Sequence, residues 1–413
     1  MTVITRLPPP LRGPFAQPRP DMCGRYLIRN PRVVAAFTAM DAVLSLVPVR
    51  HRTMPAKVER LLLANWAHLG DVVTTLGAVR LLRERLPDAH IGMVVGSWGK
   101  VAAAATGLVD QFHVVDHWSL NRSAASSADK RARYRQTARA EVRAIAAAGY
   151  QAAIDFYPFF PPAHPLFHRA GVPVRIGFDS GGWGPLLTHR VRWPDLDRPI
   201  ADHYAELIEA GWPDDSVPAG ALRPRMDGSR LPPAPAPLAD GAPYLVLHPG
   251  TGAPTRDWGI ERWIDLIARI DRDPDPACRR IVLTGAGARD EAIARSLADA
   301  APQVLDLAGR LDWPQFLSTL ANARAIVCPD TVTSHLGAMF DTPVVCVFTG
   351  IVKPAQWGPY SDRAQLLVQA VACAPCNRWG CEAMACIRQT EAGDAMRALR
   401  TALRPLPPHR DAV

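Results

Sequence analysis

Apolar residues arrive along most of this chain in short unbroken runs, separated by longer mixed stretches. The first is Leu61-Leu62-Leu63-Ala64, and residues 71–86 behind it carry apolar positions at helical spacing. Residues 90–95, 112–115, 152–156 and 174–178 read as further strands. Runs that are apolar throughout, rather than at alternate positions, suit strands covered on both faces. Strand–helix alternation of this kind predicts a parallel sheet between layers of helices. The pattern lapses over residues 213–243, which are dense in proline and lack periodicity, and we read them as an interdomain linker. It resumes with strands at 244–247, 280–284, 304–307, 325–328 and 344–348. The expected fold class is α/β: two Rossmann-like doubly wound domains, residues 58–212 and 244–413, facing a central cleft of the kind in which open α/β folds bind ligands.

Ahead of the first strand the pattern is different. Residues 1–24 are rich in proline and read as disordered. Residues 33–49 then form an apolar run whose only charge is Asp41, with Arg25, Arg29 and Arg32 before it and Arg50, Arg52 and Lys57 after it. A spanning helix needs about 20 apolar residues, so this run is marginal. Two readings fit it: a helix lying in the interface of an anionic membrane, or a helix docked on its own protein.

Composition narrows the class. A chain of 413 residues, 48% hydrophobic and 21% charged, is that of a globular protein with room for two domains. The net charge of +8 favours an anionic partner: phosphorylated sugar, acidic lipid or nucleic acid. The opening residues lack the apolar core of a secretory signal. Eight cysteines in a chain of this length do not make a disulfide scaffold. Cys23 stands alone, and Cys278, Cys328 and Cys346 have apolar neighbours, as reduced buried thiols do. A cytoplasmic protein is expected.

Three turns follow strand ends and carry candidate chemistry. The first is Asn65-Trp66-Ala67-His68-Leu69-Gly70-Asp71-Val72-Val73. Asp71 there falls in the first turn of a helix, where an acid compensates the helix dipole. The same rigid position also suits a general base. The second is His248-Pro249-Gly250-Thr251-Gly252-Ala253-Pro254-Thr255-Arg256-Asp257-Trp258. Its glycines and Thr251 offer backbone and hydroxyl donors, and Arg256 offers a guanidinium fork to phosphate. The third is Ala325-Ile326-Val327-Cys328-Pro329-Asp330-Thr331-Val332-Thr333-Ser334-His335, in which Pro329 stops a strand. Thr333 or Ser334 is expected to cap a helix running to about residue 340. That helix N-terminus suits a diphosphate, flanked by Asp330 and His335.

Taken in order, Leu69-Gly70-Asp71-Val72-Val73, His248-Pro249-Gly250 with Arg256-Asp257-Trp258, and Asp330-Thr331 with Ser334-His335 resemble the motifs of glycosyltransferase family 9, the heptosyltransferases of lipopolysaccharide core assembly. Leu307-Ala308-Gly309 and the stretch from Phe348 through Trp357-Gly358-Pro359-Tyr360 also match, and the resemblance covers about residues 58–400. It implies a GT-B fold, an ADP-heptose-like donor in the second domain, an acceptor in the first, and inversion without an obligatory metal. By position it makes Asp71 the general base and Asp330, Thr331 and His335 donor-binding residues, joined by Thr251, Arg256 and Ser334. Arg256 stands where the family usually has Lys. Val332 and Thr349 stand where it usually has Gly, and Val332 narrows the approach to the donor.

Other features are weighed beside these. Cys373, Cys376, Cys381 and Cys386 have knuckle-like spacing and could hold a structural zinc or iron, as an alternative to reduced thiols or a loop disulfide. The basic residues Lys130, Arg131, Arg133, Arg135, Arg139 and Arg143 lie on one helix, either as a solvated face or in contact with a phosphorylated acceptor. Asp195-Leu196-Asp197, Asp271-Arg272-Asp273 and Asp273-Pro274-Asp275 lie in polar loops and do not suit the metal of a metal-dependent transferase. Gly285-Ala286-Gly287 lacks the third glycine of a dinucleotide site. The function expected is transfer of a heptose or similar sugar to a lipopolysaccharide core or related acceptor, at the cytoplasmic face of the inner membrane, with no nucleic-acid partner. The alternatives are another sugar nucleotide for another surface glycan, or a non-catalytic glycan binder.

Overall fold

Leu61, Leu62 and Leu63 leave no side of their strand polar, and all three are fully buried, so helices must cover both faces of the sheet they join. The structure, a computed structural model, describes residues 2–6, 25–28, 30–194, 196–273, 280–376, 378 and 380–404. Cys23, Arg29, Asp195, Asp275 and Cys278 lie outside the described residues. The chain divides into two units at Pro224/Arg225, and the N-terminal strand β1 (Thr2–Arg6) belongs with the second.

The first unit opens with helix α1 (Pro31–Leu44) and holds strands β2 (Arg60–Ala64), β3 (His90–Val95), β4 (Gln111–Val114), β5 (Ala152–Asp155), β6 (Val174–Phe178) and β7 (His189–Val191). Their order in the sheet is β4-β3-β2-β5-β6-β7, all parallel. Helices α2 (Leu69–Arg85), α3 (Lys100–Ala104), α4 (Ser127–Ala148), α5 (His164–Arg169) and α6 (Ile200–Gly211) connect and cover these strands. In α2 the buried Val72, Val73, Leu76, Val79 and Leu82 recur at helical spacing and form the stripe that lies on the sheet. Asp71 in its first turn and Arg83 and Arg85 in its last complement the helix dipole.

The second unit holds β8 (Leu245–Leu247), β9 (Ile281–Leu283), β10 (Leu305–Asp306), β11 (Ala325–Pro329), β12 (Val344–Phe348) and β13 (Ala364–Gln369). With β1 they form one parallel sheet in the order β1-β13-β12-β11-β8-β9-β10. Its helices are α7 (Ile260–Asp271), α8 (Ala288–Ala300), α9 (Trp313–Ala321), α10 (Val332–Met339), α11 (Pro354–Trp357), α12 (Ala385–Arg388) and α13 (Ala392–Ala402). Trp263, Leu266, Ile267 and Ile270 make the buried stripe of α7, and Trp258 meets Trp263 edge-on at 4.9 Å in the same core.

Several elements depart from the sequence expectation. Thr2–Arg6, inside the stretch read as disordered, pairs in register with β13. β13 itself escaped the apolar pattern because Gln365 and Gln369 are buried within it. β7 escaped because it is a short edge strand with one apolar residue. Helix α10 begins at Val332 with Thr331 as its N-cap, so neither Thr333 nor Ser334 caps it.

The proline-dense segment is not free chain. Arg80 Nη2 donates to Ala221 O at 2.9 Å, and Leu222 is buried against α2. A Cβ on Gly77 would fall 1.8 Å from Leu222 O, so only glycine lets the segment cross the helix there. On the other side of the boundary, Met226 N donates to Met339 O in the second unit. Each end of the segment is therefore fastened to its own unit. Gly77→Ala should lower stability by about 1–3 kcal/mol through overpacking, read as a drop in the denaturation midpoint. An unchanged midpoint would show that the crossing is not close.

Candidate functional site

Strand β2 has β3 on one side and β5 on the other, so the chain's strand order reverses between β2 and β5. Crossovers leave in opposite directions at such a point and open a crevice at the carboxyl ends of the two strands. The turn carrying Asp71 emerges there, and polar contacts fix it. Buried Asn65 donates through Nδ2 to Asp71 O at 2.9 Å and to Thr75 Oγ1 at 2.8 Å. Trp66 Nε1 donates to Pro161 O, and Trp98 Nε1 to Ala67 O. Asp71 Oδ2 accepts from His68 N at 3.1 Å, the helix-capping contact that an acid at this position makes. Its carboxylate remains half-exposed, in the neighbourhood of the buried Tyr157 and Tyr204. Burial, with the charges of Asp71 and Asp155 added, raises both phenols so that they stay neutral.

Asp155 closes β5 at the same crevice and was not singled out in the sequence. It is fully buried and accepts from Tyr157 N at 3.1 Å and Ala163 N at 2.5 Å, 3.3 Å from His164 Nε2. Burial raises its pKa to about 7, against the pull of the two N–H donors. Together Asn65 and Asp155 brace the two loops of this crevice. The only signal for either was a polar residue directly ending an apolar run.

The second unit repeats the arrangement between β8 and β11, where its strand order reverses. The loop after β8 carries Arg256, and the loop after β11 carries Asp330. Arg256 Nη1 donates to Asp330 O at 2.8 Å, with Nη2 3.5 Å from Asp330 Oδ2. Helix α10 starts directly behind, and Gly337 lets it lie against Ile326 and Val344 of the sheet. His335 is half-buried on α10, within electrostatic range of Asp330 and Arg256. The structure thus brings Arg256, Asp330, Thr331 and His335 together. Thr251 and Ser334 lie in the same loops with their hydroxyls engaged locally: Thr251 Oγ1 donates to Ala253 O, and Ser334 Oγ to Thr331 O.

Other sequence candidates fall elsewhere. Cys373, Cys376, Cys381 and Cys386 line one pocket with Thr255 and Gly350. None is in a disulfide, and among the described residues no group of three or more His, Cys, Asp or Glu is placed to hold a metal ion. Cys328 and Cys346 are buried as expected. Asp273 is held by Arg400 at 2.7 Å, a structural ion pair. Over Gly285-Ala286-Gly287 sits the Asp290 carboxylate, which accepts from Ala286 N and would repel a phosphate. On α4, Arg133 pairs with Asp116 at 2.8 Å and Arg131 lies over Trp118.

Loss of water around the ring lowers six histidines: His117 and His248 to about 4, His164 to about 3, and His168, His189 and His335 below their ordinary value. Unfolded, they titrate near pH 6.5, so below that pH the unfolded chain binds more protons. Their contribution is complete above about pH 6.5 and is lost as pH falls toward 4. Asp155 has the opposite sign, being most favourable below about pH 4 and losing its contribution as pH rises through about 7. Asp179 and Asp290, also raised by burial, share the sign of Asp155, and the six histidines outnumber these three carboxylates. Thermal midpoints should therefore fall as pH drops from 7 to 4.5, and a flat profile would show that these rings are not held neutral.

Comparison with known proteins bears on the fold and the family. The fold is shared with E. coli ADP-heptose lipopolysaccharide heptosyltransferase II (TM-score 0.63, 17% identity, 83% of this chain and 98% of that one). It is shared also with E. coli heptosyltransferase WaaC solved with ADP (0.64, 20%, 83% and 99%) and with a family 9 glycosyltransferase from Veillonella parvula (0.65, 17%, 85% and 99%). Two Rossmann-like units of this kind make the fold GT-B. A family model described as glycosyltransferase family 9 (heptosyltransferase) matches residues 139–386, and the chain belongs to that family. Lipopolysaccharide heptosyltransferase 1 of Pseudomonas aeruginosa is 27% identical over 53% of this chain and 53% of its own, so the chain spans about half the length of that relative. The Salmonella typhimurium protein of the same name is 23% identical over 76% of this chain and 94% of its own.

Proposed function

We propose that this chain is an inverting glycosyltransferase that moves a heptose or similar sugar from an ADP-heptose-like donor to a lipopolysaccharide core or related acceptor, at the cytoplasmic face of the inner membrane. The observation that carries the reading is the Arg256–Asp330 contact at the β8/β11 crevice, directly in front of the α10 N-terminus. A guanidinium and unsatisfied helix N–H groups together form a cradle for a diphosphate. Relatives of the family are named as lipopolysaccharide heptosyltransferases, and one was solved with ADP. In this reading Asp330 and His335 orient the nucleotide sugar, with Thr251, Thr331 and Ser334 shaping the loops around it.

Asp71 is the proposed base. It takes the proton from the acceptor hydroxyl as that oxygen attacks the anomeric carbon. The bond from that carbon to the diphosphate oxygen breaks on the opposite face, and ADP departs with the electron pair. The configuration inverts. Charge growing on the diphosphate is met by Arg256 and the helix N-terminus, which is why the proposal calls for no metal. Another sugar nucleotide would use the same groups, and a panel of donors separates the two.

Asp71→Asn should retain ADP binding and fold while losing about 10²–10⁴-fold in turnover. Transfer at the wild-type rate would remove Asp71 from the chemistry and leave it a helix cap. Arg256→Ala should raise the donor KM and lower kcat together, because phosphate charge is present in the ground state and grows on departure. Arg256→Lys should be mild. Unchanged kinetics for the alanine variant would show that the ion pair with Asp330 is structural only.

A further inference from the structure

Helix α1 has no polar face. From Val33 to Leu44 its only residues that are not apolar are Thr38 and Asp41. Thr38 Oγ1 donates back to Val34 O at 2.9 Å, within the helix. Asp41 is 1% exposed and accepts from Tyr26 Oη at 2.9 Å, Arg25 Nη2 at 3.0 Å and Trp183 N at 2.9 Å. Beside it Phe37 packs on Phe160 and Trp183, with ring centroids 5.4 and 5.5 Å away. One face of the helix is therefore held by its own unit, and the two sequence readings of this run do not exclude each other.

The opposite face is presented outward. Ala35, Ala36, Ala39 and Ala42 are exposed there, Val43 is 65% exposed, and Leu46 just past the helix is 82% exposed. A solvated helix face ordinarily carries charged or polar side chains. Here the charges stand at the two ends instead: Arg32 in the first turn, and Arg50 and Arg52 beyond the last, all exposed. Between residues 30 and 58 the one acid is Asp41, which is buried.

We infer that this outer face docks on an anionic phospholipid bilayer, with Val43, Leu46 and the alanines entering the boundary between headgroups and acyl chains, and Arg32, Arg50 and Arg52 on lipid phosphates. The helix is too short to cross, and no described helix is long and apolar enough to do so. The charge pattern selects the occupant. A second copy seated by a two-fold axis would set the same patch against itself, bringing cation to cation with no acid to answer them. An anionic lipid surface satisfies every one of these arginines. The docked helix is also tied to the candidate turn through aromatic contacts: Phe37 to Phe160, Phe160 to His117 at 6.0 Å, and His117 to Trp66 at 5.6 Å. Docking would thus hold the Asp71 turn at a fixed place relative to a lipid-linked acceptor. The docking itself is independent of which sugar is moved, or of whether any is.

The test is flotation of the full chain with vesicles of phosphatidylcholine alone, or of phosphatidylcholine with phosphatidylglycerol, at low and high salt. The chain should float with the anionic vesicles, float poorly with the neutral ones, and lose binding as salt rises. The double variant V43E/L46E changes only exposed side chains, so it should keep the wild-type melting temperature and bind at least about 10-fold more weakly. R32A/R50A/R52A should lose the preference for anionic lipid, which keeps the test open should the glutamate variant not fold. No flotation of the wild-type chain, or equal flotation of wild type and V43E/L46E, would overturn the inference. So would a concentration-dependent dimer, seen by light scattering, that V43E/L46E disrupts without any vesicle binding. No donor or acceptor enters the assay, so its outcome is separate from that of the transfer reaction.

Discussion

A parallel sheet can take new strands on either side of a strand already laid down, as the first unit does around β2 and the second around β8. Each crossover from one parallel strand to the next is right-handed, so reversing direction along the sheet puts the connecting helices on opposite faces. At the reversal the loops diverge and the carboxyl ends of two adjacent strands are left uncovered. The pairs are β2 with β5 and β8 with β11. Every candidate chemical group depends on this constraint. It places the Asp71 turn and the Asp155 loop at one crevice, and the Arg256 and Asp330 loops at the other. Within the second crevice the Arg256 contacts to Asp330 couple the two loops, so neither the cation nor the α10 N-terminus is positioned independently.

The pattern of apolar runs was enough to place the strands at the centre of each sheet, because a central strand is covered on both faces and tolerates almost no polar residue. It failed at the margins. β13 carries two buried glutamines, and β7 lies at an edge where one face needs no apolar residue. The start of α10 was misplaced for a related reason: hydroxyl residues fill positions 331, 333 and 334, and side-chain type alone does not tell which has extended backbone. The titratable residues Asp71, Arg256, Asp330 and His335 stood out because they fall in turns after strands or in the first turns of the helices that follow. Asn65 and Asp155 were not, since their work is to hold backbone N–H and C=O groups of loops whose shape is a property of the folded chain. The prolines of residues 213–243 marked a lapse in the pattern but gave no sign of packed chain, because the close crossing at Gly77 depends on a residue far away in sequence.

Asp41 shows how one buried charge sets the geometry of a whole segment. An unpaired carboxylate could not be buried there, and three donors from two parts of the first unit supply its partners. Held between the Arg25-Tyr26 segment and Trp183, it fixes which side of α1 faces in, and so which side faces out. The apolar outer surface of the helix follows from the anchoring of the inner one.

The central claim is that a nucleotide diphosphate binds where strand order reverses between β8 and β11. Hydrogen–deuterium exchange of the full chain with and without ADP tests it most directly, since it reads backbone amides loop by loop. ADP should protect the amides of residues 250–257 and of Val332 and Thr333 at the start of α10, and leave residues 285–290 unchanged. Protection at residues 285–290 with none at the start of α10 would contradict the account, because it would place the nucleotide on the loop covered by Asp290.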